Sequence, residues 1–311
     1  MAISSNKPIK WKEDIAASVD LFNTWFMKFA PSAYKNTRSK TATTVIEAMK
    51  LTKDLRILSP KVLQQYPAIL STLRMSTSPP LARDRLVGLA YANKNLVFKM
   101  EAGSLPPRIG QEELCRDLNS ICNIIQRLLD RDIFPWLEGK EEPTEQERQR
   151  ASTIVADRLC GAVADPIIRN AQEQRQLALI GNYLKSKGYK QKTHPKELPL
   201  NKMEPGTFTF RLNVAVGKQR KLNIPIDVVI QPKKPRKSGI PILIEAKSAG
   251  DFTNTNKRRK EEATKIHQLR GTYGKDASLI LFLCGYLGYE AAEGLDWIWE
   301  HRIDDLMKLG L

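Results

Sequence analysis

The sequence lacks the long apolar runs that a membrane span or a secretory signal needs. Hydrophobic residues make up 41% of the 311 positions, and no window approaches the uninterrupted apolar length of a spanning helix. The first twenty residues, MAISSNKPIKWKEDIAASVD, contain no apolar core of signal-peptide length, and acidic residues appear too early for a transit peptide. We therefore expect a cytoplasmic protein that has no membrane partner.

Cysteine and histidine are scarce, with four and three residues. The cysteines do not form the close pairs that a zinc site needs, and the histidines are too dispersed to complete one. The pattern therefore excludes a zinc-finger protein, and we expect reduced cysteines that lie mostly in the core. They are Cys115, Cys122, Cys160 and Cys284.

Acidic residues are few relative to basic ones, 34 against 50, so the formal net charge is +16. Such a charge favours a polyanionic partner, most simply a nucleic acid. A membrane surface is the alternative, but the basic residues are not arranged along one strongly amphipathic helix. Charge indicates the class of partner and leaves the chemistry open.

The first half of the chain has helical periodicity. One apolar stripe runs at spacings of three and four through Ile15, Val19, Phe22, Trp25 and Phe29. Segments rich in proline or glycine separate the further predicted helices, which cover about residues 39–53, 60–75, 82–99, 111–131 and 144–160. We predict a helical amino-terminal domain over residues 1–160 and a second domain over residues 161–311.

The second half changes from helices to strands. After Asp165 and Pro166 one long helix is predicted to end at Gly188, and the segments TFTFRLNVAV and LNIPIDVVIQ then have strand composition. Next come the strand IPILIEAKS, a basic helix over about 255–273, the strand ASLILFLC and a last helix over about 291–309, which would pack Trp297 and Trp299 in the core. The predicted fold is α/β, a mixed sheet flanked by helices.

Two of the predicted strands carry charged residues. Side chains alternate along a strand, so Asp227 is expected to face away from the apolar side formed by Leu222, Ile224, Ile226 and Val228. The same alternation places Glu245 and Lys247 on one face of their strand, opposite Ile242, Ile244 and Ala246. If the two strands are neighbours, Asp227, Glu245 and Lys247 converge at one place.

This combination of residues suits phosphodiester hydrolysis. Two close carboxylates repel each other unless a cation lies between them, and hard oxygen ligands favour Mg²⁺. A lysine on the same face can orient an attacking water and offset charge that develops on the phosphoryl group. The alternative is that Glu245 and Lys247 form a surface ion pair of little energetic weight at a sheet edge.

Asp227, followed after 245 − 227 = 18 positions by Glu245, Ala246 and Lys247, resembles the PD-(D/E)XK nuclease motif, with Pro225-Ile226-Asp227 in place of Pro-Asp. Within that superfamily the chain is similar to type II restriction endonucleases of the XamI-like group, on the segment IEAKSAGDFTNTNKRRKEEA and the helical first half. The resemblance implies Mg²⁺-dependent, site-specific cleavage of double-stranded DNA, with Asp227 and Glu245 as metal ligands. It also implies a homodimer in the bacterial cytoplasm and a cognate DNA methyltransferase in the host.

Glu173 is a further candidate for the catalytic site. It shares a helical stripe with Leu177, Ile180 and Leu184, so its carboxylate faces the side of the core residues. The resemblance implies that an acid of this helix assists the metal site. The alternative, an acid in an early turn that is stabilised by the helix dipole, stays open.

The predicted basic helix carries candidate DNA contacts. Cations at a helix start oppose the helix dipole, and backbone phosphates of DNA would relieve this. The cluster is Lys257, Arg258, Arg259 and Lys260, for which a solvated helix face is an equal alternative. Three nearby amides, Asn254, Asn256 and Gln268, either read base edges or cap and decorate the helix.

Two other functions remain open at this point. A repair, recombination or phage nuclease would use the same core on a different DNA substrate. A non-catalytic nucleic-acid-binding protein would use the basic helix and keep the acids for structure. Dependence of cleavage on a metal separates this second alternative from both kinds of nuclease.

Overall fold

The computed structural model describes residues 8–139, 141–195, 197–217, 222–250, 255–287 and 295–311. The chain divides into two compact units: Ala30–Ile167 forms one, and the described residues of Met1–Phe29 and Ile168–Leu311 form the other. The predicted domain boundary at residue 160 stays a prediction, and residues before Ala30 group with the second unit. Along the described residues, no helix is both long enough and apolar enough to cross a bilayer.

The unit Ala30–Ile167 is built from helices. Its buried core includes the apolar stripe of one helix at Leu114, Leu118, Ile121 and Ile125. The helices of the amino-terminal half are α1 (Pro8–Leu51), α2 (Pro60–Gln65), α3 (Leu70–Met75), α4 (Arg83–Ala90), α5 (Lys94–Glu101), α6 (Gln111–Leu128) and α7 (Glu145–Ser186). Both α1 and α7 extend beyond the bounds of this unit.

Several of the predicted helix boundaries are wrong. The helix predicted over 39–53 is the end of α1, and the helix predicted over 60–75 is divided into α2 and α3 because the backbone of Tyr66 is not helical. The single helix predicted over 82–99 is two helices, because Tyr91 adopts the left-handed conformation at φ 49° and ends α4, and Asn93 then caps α5. The break predicted near Pro166 does not occur, since α7 runs through this proline as one helix. Proline removes only one intrahelical donor, and the buried apolar residues on both sides of it hold the helix together.

The second unit contains a six-stranded mixed sheet. Its strands lie in sequence order and are β1 (Lys190–Gln191), β2 (Thr207–Val216), β3 (Leu222–Gln231), β4 (Ile242–Ala249), β5 (Leu279–Gly285) and β6 (Asp296–Trp299). The pairs β2–β3 and β3–β4 are antiparallel, whereas the pairs β1–β2, β4–β5 and β5–β6 are parallel. The helix α8 (Thr255–Tyr273) connects β4 to β5, as predicted. The α/β prediction is confirmed.

One helix covers each face of this sheet. Leu177 and Ile180 of α7 pack in a cluster with Ile244 of β4. Ile266 and Leu269 of α8 belong to a different cluster, which includes Leu243 and Val229. Residues that alternate along β4 therefore lie in separate apolar layers, and a polar side chain among them must find partners in one of these layers.

The last predicted helix is wrong over its first half. Asp296–Trp299 forms β6, which pairs in parallel with β5, and a 3₁₀ helix follows over Glu300–Leu309. Trp297 and Trp299 are buried as expected, but from a strand. The four-residue strand joins a helical segment directly, so local sequence periodicity does not separate the two. Residues 291–294 of that prediction lie outside the described residues.

Candidate active site

The candidate site lies where β3 and β4 separate. Their pairing runs from Ile230 opposite Ile242 to Val228 opposite Ile244. Continuing that register brings Asp227 opposite Glu245, beyond the last backbone pair. Asp227 Oδ2 instead accepts a hydrogen bond from the Ala246 amide at 2.9 Å. The carboxylate thus accepts the hydrogen bond that a backbone carbonyl of β3 would otherwise accept, and this fixes it at the opening between the two strands.

A local irregularity in β2 and β3 turns Asp227 toward this opening. Phe210 pairs with Val228 and Leu212 with Ile226, while Arg211, at φ 51°, lies between these pairs beside Asp227. Ile226 packs in the layer of α8, but Val228 packs in the layer of α7. The prediction that both share one face is therefore wrong, because alternation is interrupted where the left-handed Arg211 breaks the ladder.

The strand β4 presents Glu245 and Lys247 on one face, as alternation predicted. Lys247 Nζ lies 3.2 Å from Glu245 Oε2, and the Glu245 side chain is only 2% exposed. Ala246, between them, packs with Ile242 and Ile244 in the opposite layer. The pair therefore joins a buried carboxylate to a half-buried lysine, and the hypothesis of an exposed ion pair at a sheet edge does not describe it.

Two residues of α8 complete the charged cluster, and the sequence analysis missed both. Glu262 is 3% exposed, and its Oε1 lies 3.0 Å from Lys247 Nζ. Lys265 Nζ lies 3.0 Å from Glu245 Oε1 and 3.7 Å from Glu262 Oε1. A signal was present: Glu262 precedes Ile266 by four positions and Leu269 by seven, so it occupies the apolar stripe of α8.

Two carboxylate oxygens in this cluster have unused acceptor capacity. Glu262 Oε2 and Glu245 Oε1 are buried without an aligned hydrogen bond, although the Lys265 ammonium is 3.0 Å from the second. The contact between Lys265 Nζ and Glu245 Oε1 is an ion pair, because its distance is short but its angles are not those of a hydrogen bond. Buried acceptors with free lone pairs are costly unless a donor or a cation reaches them.

The donors at this site fit a divalent cation. Carboxylate oxygens are the hard ligands that Mg²⁺ prefers, and Asp227 and Glu245 present them at the strand opening. Among the described residues, no group of three or more histidine, cysteine or acidic side chains is arranged to hold a metal alone. A cation held by two carboxylates would keep positions for water and phosphate oxygens, as Mg²⁺ does in such sites.

The electrostatics of the acids reflect this environment. The pKa of Glu245 is raised to about 7, mainly by burial and also by the charges of Asp227 and Glu262, which together outweigh the lowering effect of Lys247 and Lys265. Burial also raises the pKa of Asp227, despite the Ala246 amide and Lys247. The site therefore has less positive charge than its carboxylates need to be fully ionised.

Lys247 stays protonated in this surrounding. Burial would lower its pKa, but attraction by Glu245 and Glu262, together with hydrogen bonds to both, raises it above the ordinary value. The side chain is therefore a fixed ammonium ion and a poor general base. Its chemical capacity is to attract and orient, and to stabilise negative charge.

Glu173 of α7 lies within electrostatic reach of the site. Its charge raises the pKa of Asp227. Arg211 donates a hydrogen bond to Glu173 Oε1 at 2.7 Å, so the carboxylate has a cationic partner in β2. The residues Leu177, Ile180 and Leu184 of the predicted stripe are buried. The predicted role of Glu173 beside a metal stays a prediction.

Most of the predicted DNA contacts fall where side chains are not described. Lys257, Arg258, Arg259, Lys260 and Asn256 belong to α8, but their side chains lie outside the described part, and Asn254 lies outside it altogether. Gln268 is half-buried on α8, where its backbone carbonyl accepts the Thr272 hydroxyl. All these contacts remain predictions.

Known proteins resemble this chain over most of its length. The family model described as XamI restriction endonuclease matches residues 53–299. Type II restriction enzyme SalI from Streptomyces albus G is 56% identical over 313 residues, covering 99% of both chains. Type II restriction enzyme XamI from Xanthomonas campestris pv. amaranthicola is 24% identical over 193 residues, covering 61% of this chain and 62% of that one. The solved structure of protein VC1899 from Vibrio cholerae has a TM-score of 0.26 and 16% identity, covering 79% of this chain and 55% of that chain.

Proposed function

This chain belongs to the XamI restriction endonuclease family, and from that premise we propose that Asp227, Glu245 and Lys247 are the residues with which it cleaves DNA. It is a type II restriction endonuclease, a site-specific enzyme that hydrolyses phosphodiester bonds of double-stranded DNA. Family membership disfavours the alternatives of a repair nuclease and of a non-catalytic binding protein. The predicted identity as an enzyme is confirmed.

The observation that carries the site assignment is the strand opening at Asp227. One carboxylate there is fixed by the Ala246 amide, a second is buried in β4, and an ammonium ion lies 3.2 Å from that second carboxylate. A buried cluster of this kind costs folding free energy, since each charge loses its hydration. Function gives a reason for that cost, because strongly perturbed acids grouped at one place are typical of catalytic sites.

Enzymes of this kind act with a divalent metal, and we propose that Mg²⁺ is the ion and that Asp227 and Glu245 hold it. When bound, the ion supplies Lewis-acid chemistry: it polarises a phosphate oxygen and lowers the pKa of a water. The buried acceptor oxygen of Glu245 and its raised pKa support this assignment, since both call for added positive charge.

Lys247 would act directly on the reacting groups. During hydrolysis a water oxygen forms a bond to phosphorus and loses a proton to solvent, while the ester oxygen leaves with the bonding electron pair and takes up a proton. The ammonium of Lys247 can orient the attacking water by donating a hydrogen bond to the water oxygen. It can also offset the negative charge that grows on the phosphoryl oxygens. The contacts with Glu245 and Glu262 hold this ammonium in place and keep it charged.

Three features of the cellular role are part of the proposal. Two active sites related by a two-fold axis are the simplest way to cut both strands of a duplex, so we propose a homodimer. A host that contains this enzyme needs a cognate DNA methyltransferase to protect its own genome. The proposed location is the bacterial cytoplasm, where that genome and incoming DNA are both present.

The test combines cleavage and binding. Wild-type protein incubated with a long duplex and Mg²⁺ should yield discrete bands, and the Lys247→Ala variant should yield none while still binding that duplex. Lys275→Ala is a matched control, because Lys275 is an exposed lysine in the connection after α8. Normal cleavage by Lys247→Ala would place the active site elsewhere.

A further inference from the structure

The unit Ala30–Ile167 contains a compact two-helix element in α4 and α5. Each helix has eight residues, and the three residues Tyr91, Ala92 and Asn93 join them. Tyr91, with φ 49° and ψ 32°, ends α4 in the left-handed conformation. The helical direction of α4 therefore ends at this residue, and α5 begins at Lys94, directly after its cap Asn93.

The buried apolar residues of this element belong to one core, and each is 7% exposed or less. They are Leu86, Ala90, Ala92, Leu96, Val97 and Met100. Leu86 and Ala90 lie four positions apart on one face of α4, while Leu96 and Val97 precede Met100 by four and three positions on one face of α5, so both faces point into this core. The small Ala90 and Ala92 at the corner let the helices approach closely, as in a helix-turn-helix.

The turn is held rigidly by polar contacts. The Asn93 side chain accepts a hydrogen bond from the Asn95 amide at 2.9 Å, and so caps α5. The Asn93 amide donates to the buried Asp117 Oδ2 at 2.8 Å, and its Nδ2 donates to Glu113 Oε1 at 3.0 Å. Both acids belong to α6, so this third helix fixes the start of α5.

The outward face of α5 has the chemistry of base recognition. Its exposed residues are Lys94, Asn95 and Lys99. Lysine donates to the O6 and N7 atoms of guanine, and asparagine can pair with the N6 and N7 atoms of adenine. The half-buried Phe98 lies beneath Lys94, whose Nζ is 5.3 Å from the ring centre. These residues occupy the first turns of the second helix, which reach base edges in known helix-turn-helix complexes.

The charge of the element favours a polyanion. Residues 83–102 contain four basic and two acidic residues. One of these acids, Glu101, has a side chain that is 13% exposed and is paired with the buried Arg74. The other, Asp84, contacts Lys94 at 3.2 Å on the surface. Arg83 and Arg85 are exposed on the first helix, the position from which such elements contact DNA phosphates.

Tyr91 is unexplained by the packing of the unit. Its ring is 92% exposed, and its backbone occupies a region that is unfavourable for a bulky residue and easy for glycine. Glycine at this position would adopt the same backbone conformation at a lower free-energy cost. An exposed tyrosine at the turn is suited to contact the DNA backbone, since tyrosine hydroxyls are common phosphate donors.

We propose that α4 and α5 form a helix-turn-helix that reads bases in the major groove, with Lys94, Asn95 and Lys99 on its reading face. The inference rests on the proposed function in taking double-stranded DNA as substrate. It assigns sequence selection to residues that are different from the cleavage residues Asp227, Glu245 and Lys247.

The experiment measures binding of the full-length protein to two labelled duplexes of equal length, with Ca²⁺ in place of Mg²⁺. One duplex carries a sequence that the wild-type enzyme cuts, identified by sequencing the ends of its cleavage products, and the other carries the same bases in shuffled order. Lys94→Ala and Asn95→Ala should each weaken binding to the first duplex by about tenfold or more, with a smaller effect on the second. Asn119→Ala and Lys61→Ala, which remove exposed side chains from α6 and α2, should change neither.

A second variant distinguishes a loss of DNA contacts from a loss of folded structure. Asn95→Asp keeps the size of the side chain and adds a negative charge, so it should weaken specific binding at least as much while its thermal melt stays at the wild-type value. If Lys94→Ala and Asn95→Ala, folded as wild type, keep the wild-type ratio of specific to non-specific binding, the helix-turn-helix assignment is wrong. This outcome is separate from the fate of the active-site proposal, because binding in Ca²⁺ does not require cleavage.

Discussion

Lys247 Nζ of β4 lies 3.0 Å from Glu262 Oε1 of α8, so a half-buried lysine and a buried glutamate join the strand to the helix beside the proposed catalytic carboxylates. The lysine also contacts Glu245, and its ammonium is therefore held from two sides. A side chain with four rotatable bonds loses conformational freedom in this way before any DNA binds. Such preorganisation lowers the cost of placing a charge at a transition state.

The Glu262→Gln variant tests this relationship. The amide keeps the shape of the side chain but removes one of the two charges that hold Lys247, so we expect slower cleavage with little change in DNA affinity. Loss of a supporting contact of this kind typically lowers activity by about 10- to 100-fold. Single-turnover cleavage and duplex binding measure the two effects. Glu261→Gln is the matched control, since Glu261 is exposed on the same helix; equal rates for both variants would contradict a positioning role.

The local sequence predicts the strand residues of the site but does not predict the contact of Glu262 with Lys247. The strand bounds and the shared face of Glu245 and Lys247 could be predicted, because residue composition and a period of two determine them locally. The contact between Lys247 and Glu262 depends on how α8 packs on the sheet, which no local pattern specifies. The opposite faces of Ile226 and Val228 likewise depend on the left-handed backbone of Arg211, a residue in the neighbouring strand.

The acidity of Glu245 gives a prediction for the stability of the metal-free protein. Its pKa is raised to about 7 in the folded state from 4.5, so the folded protein binds this proton more tightly than the unfolded chain. The stabilisation is therefore full below pH 4.5 and is lost as the pH rises to about 7, on the order of 1 to 3 kcal/mol. Glu245→Gln should flatten this part of the pH profile, as urea unfolding at several pH values will measure. An unchanged slope in the variant would show that Glu245 does not titrate in this range.

The same shift predicts that cation binding releases a proton. A divalent ion at Glu245 favours the ionised carboxylate, so near pH 6 binding must displace the proton that the carboxyl holds. We expect affinity for Mg²⁺, in the presence of DNA, to rise between pH 6 and pH 8. Calorimetry in two buffers with different ionisation enthalpies will detect the released proton. Asp227→Asn should abolish metal binding while Glu245 keeps its proton. Metal binding at pH 6 with no release of a proton would argue against Glu245 as a ligand.

The basic cluster of α8 gives a prediction about salt. If Lys257, Arg258, Arg259 and Lys260 contact DNA phosphates, replacing all four with glutamine should weaken binding to any duplex and reduce the slope of log affinity against log salt by about 3 to 4. A parallel variant with four glutamines at exposed basic residues of the other unit, namely Lys61, Arg108, Arg127 and Arg131, controls for the loss of net charge alone. If the slope of log affinity against log salt is equal for the two variants, the α8 cluster is a solvated helix face and does not contact DNA phosphates.

The last prediction separates a metal site from a structural ion pair. If Asp227 and Glu245 share a cation, their mutual repulsion in the metal-free protein is relieved when Asp227 becomes an amide, so Asp227→Asn should melt at or above the wild-type temperature without metal. The amide would still accept the Ala246 hydrogen bond through its oxygen, which keeps the strand opening intact. The same variant should gain no stability from Mg²⁺ or Ca²⁺ with DNA, and it should not cleave. If the cluster is only a structural ion-pair network, Asp227→Asn should be less stable than the wild type in every buffer. Removing one charge from a balanced buried cluster leaves the opposite charges without a partner. Thermal melts with and without divalent cation decide between them, and an Asp227→Asn protein that melts lower than wild type and still cuts DNA would remove Asp227 from the metal site.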